Sequence, residues 1–135
     1  METKNLFIYG TLLSSQENEF SSFLKQNSRI VGPGLFQGQL YQIDWYPGVI
    51  KSSNSLDQVK GNVVQITGNA SSIFSELDKY EGVSWPPKDS DEYSRQFVNI
   101  SLNNRNIRSW IYLYQGRIDN AKRIISGDYN LYQKE

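Results

Sequence analysis

The chain is 135 residues long, the size of one ordinary domain, so we expect a single domain over residues 1–135 with one buried core. Its 14 basic residues balance 14 acidic ones, and this neutral charge argues against nucleic acid or an anionic membrane as a partner. Because the sequence contains neither cysteine nor histidine, it excludes disulfides, thiolate zinc sites, cysteine nucleophiles and a Ser-His-Asp triad, and leaves acid-base chemistry to carboxylates, tyrosine and lysine.

The first predicted element is a short buried strand over residues 5–9, NLFIY, an apolar run of strand-favouring residues that stops at Gly10. No long apolar segment accompanies this run, so we expect neither a signal peptide nor a membrane span, and we predict a cytoplasmic location. Ser14 and Glu17 then form a capping-box pattern, and apolar residues follow at helical spacing. This pattern predicts a first helix over roughly residues 16–25.

The segment from Arg29 to residue 52 alternates apolar and polar residues, with glycine and proline at the breaks, which predicts half-buried antiparallel strands. A further strand is predicted over residues 58–67. The second helix follows, with Asn69 or Ser71 as its N-cap and Gly82 as its left-handed C-terminal stop.

The clearest hairpin pairs residues 93–102 with residues 107–115 across the polar turn NNRN. The last twenty residues are polar with scattered aromatics, and we expect them to pack over the body as a tail. Many strands with two main helices inserted between them predict an α+β fold, either a small mixed β-barrel or a strongly curved sheet.

The junction between the first strand and its loop is one place where chemistry is expected. Gly10 permits a positive φ or a close approach to a ligand, so successive amides of residues 10–13 can face one concavity and hold a carboxylate or an oxyanion. The loop lacks the glycine patterns GxxxxGK[ST] and GxGxxG of phosphate loops. Its alternative interpretation is a plain turn that ends a strand.

Glu81 is the other place, because it lies in the last turn of the second predicted helix, where the carbonyl ends carry partial negative charge. The helix end and burial among Tyr80, Trp85 and the mouth of the barrel are both expected to raise the pKa of the Glu81 carboxyl. A carboxylate tuned upward suits a general base near neutral pH. The alternative is a solvated glutamate on a frayed turn.

Six segments in order resemble the γ-glutamylcyclotransferase-like family, also called AIG2-like, and they span nearly the whole chain: FIYGTLL, GQLYQIDWYPGVI, LDKYEG, YSRQFVNISL, SWIYLY and ISGDY. The resemblance implies a small mixed barrel with helices around one cavity. It also implies cyclisation of a γ-glutamyl group to 5-oxoproline with release of an amine or amino acid. No metal or other cofactor is implied.

By this resemblance, the family's catalytic glutamate falls on Glu81. The substrate-holding loop falls on four consecutive residues, Tyr9, Gly10, Thr11 and Leu12. The cavity tyrosines fall on Tyr93 and, on the last strand, on Tyr112 or Tyr114. The expected partner is a small γ-glutamyl substrate, with no nucleic acid and no membrane, and the expected state is a monomer or a weak homodimer.

Several alternatives remain open from the sequence. A non-catalytic small-molecule binding module on the same barrel is the main one, and a nucleic-acid-binding barrel with stacking aromatics is another, against which the neutral charge counts. Arg95 is a second candidate for holding a substrate carboxylate, or it faces solvent. The acidic loop between Glu81 and Arg95 either favours a cationic leaving amine or is simply solvated.

Overall fold

The computed structural model describes residues 4–9 and 19–133, except for the side chains of residues 19, 20 and 133. The elements in chain order are β1 (Asn5–Ile8), α1 (Glu19–Gln26), β2 (Ser28–Gln42), β3 (Pro47–Lys51), β4 (Gln58–Ile66), α2 (Ala70–Glu81), β5 (Tyr93–Leu102), β6 (Arg105–Tyr114), β7 (Lys122–Arg123) and α3 (Tyr129–Gln133). No helix within these ranges has the length and the apolar character needed to cross a membrane.

Five strands close into a mixed barrel, in the order β2, β4, β1, β6, β5 and back to β2. The pairing of Leu35 with Ser101 joins β2 to β5 and completes the closure. β1 runs parallel to β6, whereas the other pairs in the barrel are antiparallel. β3 and β7 extend the sheet by pairing with the later part of β2. The predicted α+β barrel class is therefore confirmed.

β2 is one continuous strand of 15 residues, although the sequence suggested a break at its glycine and proline residues. It runs through Gly32, Pro33 and Gly34 and shifts its register against β4 between Ile30 and Gly32. A bulge of this kind bends a strand and increases its local twist. The bend allows one strand to reach β4, β3 and β5 in turn, which is what barrel closure requires.

The buried residues form two cores on opposite faces of the sheet. The first core fills the barrel and includes Phe7 of β1, Val63 of β4 and Ile111 of β6. The second core lies beneath the helices and includes Leu6 and Ile8 of β1. Because successive side chains of a strand point to opposite faces, β1 contributes to both cores. This double burial explains why its sequence is a continuous apolar run.

The second helix begins and ends as its sequence predicts. The Asn69 side chain accepts a hydrogen bond from the Ser72 N–H at 3.0 Å, which selects Asn69 over Ser71 as the N-cap. Gly82 follows the helix with φ 68°, in the left-handed region.

For the first helix, the capping box at Ser14 and Glu17 lies outside the described residues, and the described helix begins at Glu19.

The hairpin differs slightly from prediction, whereas the tail packs as predicted. Asn103 and Asn104 both adopt positive φ, 50° and 64°, so the hairpin closes with a two-residue turn and β6 begins two residues earlier than expected. The tail does pack over the body. Ile124 and Tyr129 are buried against the barrel core, and between them the chain turns at Gly127.

Gly61 provides a test of the tight approach between β4 and β1. A Cβ at this position would clash with the Ile8 carbonyl oxygen and would lie 2.7 Å from Phe7 Cζ. We expect Gly61→Ala to lower the free energy of unfolding by about 1–3 kcal/mol, since overpacking shifts neighbouring side chains and backbone. Urea unfolding measures this loss.

Gly32→Ala is the matched control. A Cβ at Gly32 meets only the flexible Leu102 side chain, at 3.4 Å. Its unfolding free energy should stay within about 1 kcal/mol of wild type. Equal losses in the two variants would show that the close approach of β1 to β4 is not what constrains Gly61.

Candidate active site

Glu81 is fixed at the end of α2 by the way the helix terminates. The Val83 N–H donates to the Asp78 carbonyl at 2.8 Å, and the Gly82 N–H donates to the Lys79 carbonyl at 3.3 Å. Upstream, buried apolar side chains of α2, including Phe74 and Leu77, hold the helix against the sheet. The helix end is thus anchored on both sides of the Glu81 carboxylate.

The environment of Glu81 raises its pKa from 4.5 to about 7. Burial is the largest cause, followed by the negative charges of Glu92 and Asp78. The two residues that were expected to bury the carboxylate, Tyr80 and Trp85, are themselves about half exposed. A carboxyl that changes charge near neutral pH can both accept and return a proton there.

Three of the residues assigned by resemblance come together around this carboxylate. Tyr9, Tyr93 and Tyr112 are all buried, and they follow or lie on three neighbouring strands, β1, β5 and β6. Burial is the largest cause that raises the pKa of each phenol, and the Glu81 charge contributes to all three. The three tyrosines form a tyrosine wall at one end of the barrel, and Glu81 lies close enough for its charge to act on each of them.

The three tyrosine hydroxyls already donate their protons to fixed acceptors. Tyr9 donates to the backbone carbonyl of Tyr112, Tyr93 donates to the Pro47 carbonyl at 2.7 Å, and Tyr112 donates to Asp78 Oδ1 at 2.7 Å. A hydroxyl oxygen that donates its proton keeps two lone pairs, and on Tyr9 one of them accepts from the Val49 backbone N–H. The wall therefore offers acceptor oxygens to a bound cation, in addition to aromatic surface.

No group within residues 4–9 and 19–133 hydrogen-bonds to the Glu81 carboxylate. The remaining loop residues assigned by resemblance, Gly10, Thr11 and Leu12, lie outside the described residues, so their role stays a prediction. Of the two candidates on β6, Tyr112 has its pKa raised in part by the Glu81 charge. Tyr114 instead packs edge-on against Tyr93, with ring centroids 5.6 Å apart.

Sequence reasoning missed Asp78, the most highly connected side chain near Glu81. It is 3% exposed and accepts hydrogen bonds from Arg95, Tyr112 and Trp85. A signal was available, since Asp78 lies three residues before Glu81 and beside Leu77 on the apolar face of the helix. A charged residue at such a position requires a buried partner.

Arg95 is that partner, and this differs from both sequence-based interpretations of it. Its side chain is 12% exposed, so it does not face solvent, and its Nε and Nη2 donate to Asp78 at 2.8 and 3.1 Å. These two donors are therefore used within the protein and are not free for a substrate carboxylate.

Two acidic residues of the loop between α2 and β5 have different roles. Asp91 holds the loop together by accepting hydrogen bonds from the Ser84 N–H, the Ser84 hydroxyl and the Lys88 N–H. Glu92 is exposed, accepts a hydrogen bond from the Tyr46 hydroxyl, and contributes the larger of the two negative charges' effects that raise the pKa of Glu81. Among the described residues, no group of three or more acidic side chains is arranged to hold a metal ion.

Comparison with known proteins gives consistent matches over the whole chain. A family model described as gamma-glutamyl cyclotransferase, AIG2-like, matches residues 6–131. The gamma-glutamylcyclotransferase family protein YtfP of Escherichia coli K12 is 29% identical over 125 residues, which cover 92% of this chain and 94% of YtfP. The solution structure of E. coli YtfP matches with a TM-score of 0.65 over 97% of this chain and 99% of that chain.

Two solved structures of lower identity share the fold. YkqA from Bacillus subtilis has a TM-score of 0.71 at 22% identity, and the match covers 98% of this chain but 41% of YkqA. An AIG2-like protein from mouse has a TM-score of 0.61 at 15% identity, and the match covers 87% of this chain and 81% of that protein.

The raised pKa of Glu81 predicts a pH-dependent stability difference. The fold binds the Glu81 proton more tightly than the unfolded chain does, so this stabilisation is complete below pH 4.5 and is lost as the pH rises through 7. Glu81→Gln should therefore melt at a higher temperature than wild type above pH 7, and the difference should shrink toward pH 4.5. Thermal melts from pH 4.5 to 9 measure it.

Glu76→Gln is the control on the same helix. Glu76 is 49% exposed and pairs with Lys79 at the surface, so its loss should change the unfolding free energy by less than about 0.5 kcal/mol. A melting difference for Glu81→Gln that is flat across the pH range would mean that the Glu81 carboxyl titrates as it does in the unfolded chain.

Proposed function

The chain belongs to the gamma-glutamyl cyclotransferase, AIG2-like family, and we propose that it converts a γ-glutamyl compound into 5-oxoproline and a free amine or amino acid. The observation that carries this proposal is the Glu81 carboxylate, which has a pKa of about 7 and faces three buried tyrosines. Its position in LDKYEG is the one at which the family resemblance expects a catalytic glutamate.

The proposed reaction is an intramolecular acyl transfer. Glu81 takes a proton from the α-ammonium group of the substrate, and the amine nitrogen that forms attacks the γ-carbonyl carbon. In the tetrahedral intermediate the attacking nitrogen still carries two protons. Glu81 returns the first proton to the leaving nitrogen as the bond from the γ-carbon to that nitrogen breaks, then accepts the second proton from the ring nitrogen and passes it to the released amine, which leaves the neutral lactam and an ammonium group. All atoms of the substrate are recovered in 5-oxoproline and the released amine, and no water is consumed.

The chemistry suits the residues that surround Glu81. Nucleophile and electrophile belong to one substrate molecule, so the protein mainly has to fold the substrate and move protons between its two nitrogens. For this reason the proposed reaction requires neither a metal nor a cofactor. A base with a pKa near 7 is ionised often enough to accept the proton, and its conjugate acid is strong enough to release it.

The tyrosine wall and the first loop divide the task of holding the substrate. The hydroxyl oxygens of Tyr9, Tyr93 and Tyr112 have lone pairs that can accept hydrogen bonds from the α-ammonium group beside Glu81. Residues Gly10, Thr11 and Leu12 are proposed, from the family resemblance, to hold either the α-carboxylate or the developing oxyanion. Loss of one preset donor to an oxyanion typically costs on the order of 100-fold in rate.

The first test is direct detection of 5-oxoproline. Wild-type protein is incubated with γ-glutamyl amino acids, γ-glutamyl amines and ε-(γ-glutamyl)lysine, and the product is followed by mass spectrometry. We expect Glu81→Gln to lower the rate at least about 100-fold, because the amide can neither accept nor return the proton. Glu76→Gln, the exposed control on the same helix, should stay within about twofold of wild type.

The outcomes of this test distinguish a cyclotransferase from a non-catalytic binding module on the same barrel. Product from wild type and loss in Glu81→Gln support the cyclotransferase. Product formed equally well by Glu81→Gln would remove Glu81 from the mechanism. If wild type forms no 5-oxoproline from any compound of the panel but is thermally stabilised by one of them, the chain is a non-catalytic binding module on the same fold.

The pH dependence of the reaction is a second test. Because Glu81 acts as a base, kcat/KM should fall tenfold per pH unit below about pH 7. Glu92→Gln should move this midpoint to lower pH, since the negative charge of Glu92 raises the pKa of Glu81.

Asp89→Asn, in the same loop, is the control for Glu92→Gln. Asp89 is exposed and is not among the charges that raise the pKa of Glu81, so the midpoint should not move. An unchanged midpoint in Glu92→Gln, or an equal shift in both variants, would contradict the placement of Glu92 beside Glu81.

A further inference from the structure

A second carboxylate, Asp78, lies one helical turn before Glu81 and is almost completely buried. We propose that the ion pair between Asp78 and Arg95 is a positioning device that holds Glu81 in place for proton transfer. This role rests on the proposed cyclotransferase reaction. Asp78 itself touches no substrate in this proposal and acts through Glu81.

Asp78 is fully satisfied by its neighbours. Its Oδ1 accepts from Arg95 Nε at 2.8 Å and from the Tyr112 hydroxyl at 2.7 Å. Its Oδ2 accepts from Arg95 Nη2 at 3.1 Å and from Trp85 Nε1 at 2.7 Å. Two-pronged pairing of a carboxylate with a guanidinium fixes orientation as well as distance.

These four hydrogen bonds fix the chain on both sides of Glu81, at Asp78 before it and at Trp85 after it. Asp78 anchors the helix to β5 through Arg95 and to β6 through Tyr112, while Trp85 anchors the chain that follows Gly82. Glu81 lies between the two anchors. A displacement of about 1 Å of a catalytic group can cost 100-fold in rate, so an anchored segment has a functional value.

The Arg95 guanidinium is itself held between aromatic rings. Its Cζ lies 4.3 Å from the ring centroid of Trp110, 4.6 Å from that of Phe74 and 5.2 Å from that of Trp85. Stacking of this kind uses the planar guanidinium, which a lysine ammonium does not supply. The aromatic rings therefore fix the plane of the guanidinium, and the guanidinium fixes the orientation of the Asp78 carboxylate.

Stability alone is a weak explanation for this pair. A buried ion pair often contributes no more to stability than well-packed apolar residues of the same volume, because desolvation offsets the attraction. Asp78 lies one helical turn before the one carboxylate that the proposed reaction uses, and its charge acts on that carboxylate. The pair is therefore better explained by what it does to Glu81.

The pair also contributes to the electrostatic field at Glu81. The other groups that face Glu81 are Glu92 ahead of β5, Tyr93 on β5, Tyr112 on β6 and Tyr9 after β1. Lys79, on the same helix, is exposed and pairs with Glu76. The Asp78 charge is one of the causes that raise the pKa of Glu81. Since the Arg95 cation pairs with Asp78, we expect it to offset part of that charge at Glu81.

Opposite changes follow for the two partners. Asp78→Asn removes a negative charge and leaves the cation, so Glu81 should titrate at lower pH. Arg95→Gln removes the cation and leaves Asp78 unpaired, so Glu81 should titrate at higher pH. Each shift should be on the order of one pH unit. A residue that merely supports the fold would change activity without moving the titration in opposite directions.

The experiment is an NMR titration of protein labelled with 13C at the glutamate side-chain carboxyl carbons. The Glu81 signal is identified by its absence from Glu81→Gln. Its midpoint is measured in wild type, Asp78→Asn and Arg95→Gln, and the pH profile of 5-oxoproline formation is recorded on the same samples. Midpoints that move down in Asp78→Asn and up in Arg95→Gln support the proposal, and unmoved midpoints in folded variants overturn it.

Arg95→Lys separates geometry from charge. It keeps the cation but loses the two-pronged hydrogen bond and the stacking. The Glu81 midpoint should stay within about 0.3 pH units of wild type, while kcat falls at least about tenfold and KM changes little. An unchanged kcat in this variant would overturn the positioning role.

The double variant Asp78→Asn/Arg95→Gln covers the case in which a single variant fails to fold, since it leaves no unpaired buried charge. Its midpoint should lie near that of wild type, with kcat at least about tenfold lower, and a wild-type kcat would overturn the proposal. The NMR titration needs no turnover. If wild type forms no 5-oxoproline, the proposed function fails while the titration still decides whether the pair governs Glu81.

Discussion

The pairing of β1 between β4 and β6 is the constraint on which the rest of the molecule depends. β1 runs antiparallel to β4 along Asn5–Ile8 and parallel to β6 at its centre, so it joins the two halves of the barrel. It is buried on both faces, with Phe7 in the barrel and its neighbours beneath the helices. The parallel pairing of β1 with β6 also brings the Tyr9 hydroxyl to the backbone carbonyl of Tyr112, so the tyrosine wall depends on the same strand contact.

The two carboxylates at the end of α2, Asp78 and Glu81, differ in how their negative charges are compensated. Asp78 is compensated by Arg95 and by two neutral donors, whereas Glu81 has no hydrogen-bond partner among the described residues and a pKa of about 7. An uncompensated charge at such a site opposes folding. On adjacent turns of one helix, the Asp78 carboxylate is therefore held by hydrogen bonds, whereas the Glu81 carboxylate has a pKa at which it can exchange a proton near neutral pH.

Elements that depend on local chemistry were predictable from the sequence. The apolar run before Tyr9, the Asn69 cap and the Gly82 stop of α2, and the hairpin strand over residues 93–102 all follow from contacts within a few residues. The continuous course of β2 was not predictable in this way. Glycine and proline near Pro33 signal a break when read locally, yet pairing with β4 on one side and β5 on the other carries the strand through them.

The sequence by itself determined that Glu81 ends a helix next to a glycine stop, and that acid-base chemistry belongs to carboxylates and tyrosines, because these depend on neighbouring residues and on composition. Only the tertiary structure decided that Arg95 pairs with Asp78, that the Glu81 charge acts on Tyr112, and that the charge of Glu92 reaches Glu81. Those contacts join separate elements of the chain. Their distances are set by barrel closure and by the docking of α2, which no local pattern encodes.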